Sequence, residues 1–64
     1  MAFNPKKLKI RRIELDHTPK TLAEKLGIEP TTVRSWERGD SSPHLSILAK
    51  VAQILEVQEG YFFD

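Results

Sequence analysis

Between Pro30 and Arg38 the chain places Thr31, Arg34, Ser35 and Arg38 at intervals of three, one and three residues. With about 100° between successive helical residues, that spacing gathers the four side chains and Pro30 on one face. Val33 and Trp36 fall on the other. A hydroxyl donates and accepts hydrogen bonds, and a guanidinium offers a planar fork of donors that fits guanine O6 and N7 or a phosphate. Proline offers only apolar contact, for instance to a thymine methyl. A rigid row of short polar and basic side chains is therefore suited to reading base edges in a nucleic-acid groove. Catalysis and metal binding find little support. The two histidines, His17 and His44, lie far apart without clustered ligands, and the chain has no cysteine. No nucleophile, base and oxyanion donor can be grouped, and so short a chain offers no deep pocket. We expect no metal, no cofactor and no enzymatic activity.

The elements that must hold this row are marked by their punctuation. Asn4-Pro5, Thr18-Pro19 and Glu29-Pro30 each read as a cap followed by a first-turn proline. Gly27 and Gly39 supply left-handed ends. Leu8, Arg12, Ile13 and Leu15 recur at helical spacing, as do Leu22, Ala23 and Leu26. Leu45, Leu48, Val51, Ala52 and Leu55 form the clearest amphipathic pattern. Helices are expected over about 5–15, 19–26, 30–38, 44–55 and 59–63, with residues 40–43 as a loop and no strand. The fold expected is an all-α, compact five-helix bundle forming one domain over residues 1–64. Ile28 and Val33 should bury against Leu22 and Leu26, crossing the second and third helices near a right angle as a helix-turn-helix.

The 64 residues bury a small core, roughly 60% of the surface their unfolded form exposes. Net charge is only +1, but it is unevenly spread. Residues 1–38 hold nine Lys/Arg against five acids, and residues 39–64 hold Lys50 against Asp40, Glu56, Glu59 and Asp64. One basic face meeting an anionic partner explains that asymmetry, and so does a scatter of solvated charges. Absence of an apolar leader or a long apolar run gives the expectation of a soluble, cytoplasmic protein that does not touch a membrane.

The run Leu22-Ala23-Glu24-Lys25-Leu26-Gly27-Ile28, then Thr32-Val33, Trp36-Glu37-Arg38-Gly39, Pro43-x-Leu45 and Leu48-x-x-Val51-Ala52-x-x-Leu55-x-Val57 resembles the Cro/repressor-type helix-turn-helix family. Lambdoid phage repressor DNA-binding domains are the nearest members. The resemblance runs without gaps from about Leu8 to Phe62. It implies five helices, double-stranded DNA as partner and a third helix in the major groove. It also implies a charge pair between Arg12 and Glu37. Base contacts carried over by position fall on Pro30, Thr31 and Ser35, with Arg34 alongside. Phosphate contacts fall on Thr18, Lys20, Arg12, Arg38, Ser41 and Ser42. Relatives dimerise through their last segment, so Tyr61 and Phe63 are expected as a dimer surface, with a homodimer at least on DNA. The alternatives, less favoured than the dimer surface, are that these aromatics cover a further domain or pack into the core.

Several residues depart from the pattern. Pro30 cannot donate, so readout shifts to Thr31, Arg34 and Ser35. Pro19 replaces a glutamine that usually contacts phosphate, and Asp40 replaces a basic loop residue and would repel phosphate. Binding should then be weaker, or rely on Lys6, Lys7, Lys9 and Arg11 and on dimerisation. Glu56 stands where relatives place glycine. His17 holds a usually apolar position. The function expected is a sequence-specific transcriptional regulator, a repressor on a near-palindromic operator. The alternative is an adaptor or antitoxin-like interaction module with weak DNA binding.

Overall fold

The computed structural model describes residues 2–64 as four α-helices, α1 (Pro5–Glu14), α2 (Pro19–Leu26), α3 (Pro30–Arg38) and α4 (Leu45–Ile54), followed by a 3₁₀ turn (Glu59–Phe62). The expected fifth helix is thus a single 3₁₀ turn. Four residues bounded by Gln58 and the extended Phe63 are too few to establish an α-helical ladder. Each proline at a helix start replaces an N–H that has no partner inside the helix. Asn4 caps α1 by accepting the Lys6 N–H, and Thr18 and Thr21 form a reciprocal capping box on α2.

All four α-helices end in one motif. A left-handed residue follows the last turn, at Asp16 (φ 60°), Gly27 (φ 73°), Gly39 (φ 83°) and Glu56 (φ 59°). The next N–H then reaches back five residues, in His17 N→Arg12 O, Ile28 N→Ala23 O, Asp40 N→Ser35 O and Val57 N→Ala52 O, each at 3.0 Å. Glycine adopts this conformation freely, whereas Asp16 and Glu56 hold it against their own Cβ, which crowds the following carbonyl. Glu56→Gly should therefore raise stability by up to about 1 kcal/mol, or roughly 4–8 °C in thermal midpoint, offset in part by the greater freedom of unfolded glycine. Thermal unfolding followed by circular dichroism measures it.

The core joins Leu8 of α1, Leu22, Ala23 and Leu26 of α2, Val33 and Trp36 of α3, and Leu48, Val51, Ala52 and Leu55 from α4 and its cap. Phe62 completes it and is fully buried. Ile28 is only half-buried, packed against the edge of this cluster. Two apolar residues of the helical-spacing patterns lie outside the core. Ile13 is 54% exposed because it sits about 140° round α1 from Leu8, while Arg12 takes the inward place one turn after Leu8. Leu45 is 75% exposed at the first position of α4, and Ile47 instead turns toward Ile28 and Trp36.

The chain ends are tied together. Asn4 N donates to Phe62 O at 2.7 Å, Asp64 N donates to Ala2 O at 3.0 Å, and Phe3 and Phe63 form an isolated antiparallel bridge, the one strand-like pairing among the described residues. Hydrogen bonds from the Asn4 amide and then the Lys7 ammonium hold the Asp64 carboxyl below its ordinary value. That contribution is present above the unfolded carboxyl's titration range and is lost as pH falls through the lowered folded value.

Candidate nucleic-acid interface

α3 is positioned by what it buries. Val33 and Trp36 enter the core, and the Glu37 side chain, 8% exposed, follows one turn after Val33. There the Arg12 guanidinium meets it side-on. Nε donates to Glu37 Oε2 at 2.6 Å and Nη2 to Oε1 at 3.0 Å, while Nη1 donates to the His17 carbonyl at 2.7 Å. One buried arginine thus ties α1 to α3 by a bidentate ion pair and to the residue preceding the α2 cap. These three bonds make Arg12 a positioning group first, with its remaining N–H groups under a side chain only 9% exposed. The half-buried His17 serves the same corner through its carbonyl, and its ring Nδ1 lies 3.4 Å from Thr21 Oγ1.

With the inner face committed, the outer face carries Thr31, Arg34 and Arg38 exposed and Pro30 and Ser35 half-buried. Arg34 has no ion-pair partner among the described residues. Ser35 and Arg38 are already engaged: Ser35 Oγ lies 2.8 Å from Ser41 Oγ, and Arg38 Nε donates to Asp40 Oδ2 at 2.9 Å. The Arg38–Asp40 contact is a feature the sequence reading missed. Its signal was present as acid and base two residues apart across a helix-ending glycine.

Beside this face a groove of about 340 Å³ runs between α1, α2 and α3, lined by Lys9, Arg12, Pro19, Arg34, Glu37 and Arg38. Of its four cations Arg12 is matched to Glu37 and Arg38 to the neighbouring Asp40, which leaves Lys9 and Arg34 without ion-pair partners among the described residues. The groove is cationic in net and opens next to the exposed row, a suitable path for a phosphate backbone. Other expected contributors lie elsewhere. Arg11 donates to the Leu55 carbonyl at the end of α4 and pairs with Glu14, and Lys7 pairs with Asp64. Lys6 and Lys20 are exposed and without ion-pair partners among the described residues. At the start of α2, Thr18 Oγ1 accepts from Thr21 N at 3.1 Å, so its first task is the cap. Ser42 is exposed in the α3–α4 loop. Tyr61 is half-exposed and stands edge-on to Phe62, while Phe63 packs edge-on to Phe3. Among the described residues no group of three or more potential ligands could hold a metal ion, and no helix is long and apolar enough to cross a membrane.

Comparison with known proteins places the fold among helix-turn-helix proteins. A family model described as helix-turn-helix matches residues 8–62. The transcriptional regulator DicA of Escherichia coli strain K12 is 44% identical over 50 residues, which cover 73% of this chain and 37% of DicA. The regulator of biofilm formation SinR, solved in complex with DNA, superposes with a TM-score of 0.85 at 30% identity, over 94% of this chain and 97% of that one. Hydroxypropylphosphonic acid epoxidase from S. wedmorenis superposes with a TM-score of 0.87 at 28% identity, over all of this chain but only 36% of the enzyme. The chain thus spans little more than a third of DicA and of the epoxidase.

Proposed function

The chain belongs to the helix-turn-helix family, and on that premise we propose that it is the DNA-binding domain of a transcriptional regulator, a repressor acting in the cytoplasm. The observation that carries this reading is the outward row of α3 beside a groove of net positive charge, in which Lys9 and Arg34 have no ion-pair partner among the described residues. In this reading α3 enters the major groove. Thr31, Arg34 and Ser35 contact base edges and Pro30 offers an apolar edge. Lys9, Lys20, the α2 start at Thr18 and the hydroxyl of Ser42 approach the backbone. The domain binds as a homodimer to two half-sites about one helical turn (~34 Å) apart, with Tyr61 and Phe63 at the contact. No reaction is assigned. The likeness to the epoxidase covers a minor part of that enzyme and concerns a domain whose chemistry here is hydrogen bonding and charge.

Titration of duplex binding against salt tests the reading. Each phosphate contact should contribute about 0.9 to the slope of log affinity against log salt. An absence of duplex binding at low salt by folded protein would contradict it and favour a protein-interaction role. Within the same reading Arg34→Ala should cost about 1–3 kcal/mol on the preferred duplex and relax preference at one base position. An equal loss on all sequences would make Arg34 a backbone contact instead.

A further inference from the structure

The exposed face of α3 is restrained by the turn that ends it. Gly39, in the left-handed conformation, lets Gly39 N donate to Trp36 O at 3.2 Å and Asp40 N to Ser35 O at 3.0 Å, which folds the chain back against the last helical turn. Two consecutive loop residues then hold two groups of the outward row. The Asp40 carboxylate accepts from Arg38 Nε at 2.9 Å, and Ser41 Oγ and Ser35 Oγ share a hydrogen bond at 2.8 Å. Both members of the Arg38–Asp40 pair are more than half exposed, so the pair itself adds little to folding. Its consequence for a polyanion is larger. A guanidinium neutralised by a neighbouring carboxylate releases no counter-ion when a phosphate approaches, and the phosphate must also lie near that carboxylate. The other charges facing this groove are Lys9 and Arg34, which have no ion-pair partner among the described residues, and Glu37, which is taken by Arg12.

We propose that Asp40 is a negative determinant of DNA affinity that acts through Arg38: it withholds that guanidinium from the phosphate backbone, so removing the Asp40 charge recruits Arg38 as an additional backbone contact. The proposal rests on the duplex-binding reading above, and it turns Arg38 from a standing phosphate ligand into a conditional one. Simple repulsion between Asp40 and DNA makes a different prediction, because it does not need Arg38.

The test is a cycle of four proteins, the native chain, Asp40→Asn, Arg38→Ala and the double variant, titrated with a duplex at several salt concentrations. Circular dichroism checks that each is folded, as neither residue enters the core. Asp40→Asn should raise low-salt affinity about two- to fivefold and steepen the salt slope by up to about 0.9. In the Arg38→Ala background the same change should give less than half of either gain. Equal gains in both backgrounds, or no gain in the native one, overturn the proposal. If none of the four binds duplex, the DNA-binding reading fails, and the restraint is then decided by the nitrogen-15 spectrum of the arginine side chains. Asp40→Asn should shift the Arg38 Nε–H resonance and leave that of Arg34 in place. An unmoved Arg38 resonance overturns the restraint on its own.

Discussion

Glu37→Gln, which keeps the shape of the side chain and removes its charge, should cost about 3–5 kcal/mol and leave a substantial fraction of the chain unfolded at ambient temperature. The reason is burial. Arg12 is 7% exposed, and its three nitrogens are bonded to Glu37 and to the His17 carbonyl. With the carboxylate gone, the guanidinium keeps its charge in a site that water hardly reaches. Stability for 64 residues is of the order of 3–10 kcal/mol. A loss of about 3 kcal/mol lowers the thermal midpoint by roughly 12–24 °C. Arg12→Met should be comparably harmful, leaving Glu37 unpaired and the His17 carbonyl without its donor. Arg12→Met with Glu37→Leu should be less harmful than the sum of the single changes, since no charge is then left stranded. Chemical denaturation of the four proteins measures the coupling. Single effects that add within about 0.5 kcal/mol would show that the two groups do not act as a unit.

The second large effect is expected at the end of the chain. Phe62→Ala should cost about 3–5 kcal/mol, read as a fall in the denaturant midpoint without a change of fold at low temperature. Phe62 has no exposed surface and packs with Leu8, Leu48 and Leu55 in the same core cluster. Its carbonyl also accepts the Asn4 N–H at 2.7 Å, so the last turn closes onto the segment that starts α1. Tyr61→Ala, at a half-exposed neighbour, should change stability by less than about 1 kcal/mol. A small loss for Phe62→Ala would mean that the 3₁₀ turn is an appendage rather than part of the core.

Much of this was legible in the sequence because the punctuation is local. Proline after Asn4, Thr18 and Glu29 marks three helix starts to the residue, and glycine marks two of the four helix ends. The left-handed Asp16 was not legible, because an aspartate at a helix end reads equally as part of the helix. Glu56 stood out only by departing from a family pattern. Exposure of Ile13 and Leu45 was missed for a different reason. Apolar character at roughly helical spacing does not say how wide the buried stripe is, and here α1 turns a charged residue, Arg12, into the place beside Leu8. Of the interface, the outward row on α3 followed from its spacing. Which of its members are free did not, since that depends on Asp40 and Ser41 folding back across Gly39, a contact set by backbone conformation. Likewise Lys7 and Arg11 read as available cations. Their engagement with Asp64 and the Leu55 carbonyl depends on how α1 packs against α4 and the chain end.

The central claim, that the outward row of α3 reads DNA sequence, is tested most directly by selecting bound duplexes from a random pool. Selection should return an enriched half-site, most sharply defined where Arg34 contacts a base, and Arg34→Ala should flatten the preference at that position alone. Folded protein that retains duplexes without enriching any sequence, or retains none, would contradict the claim.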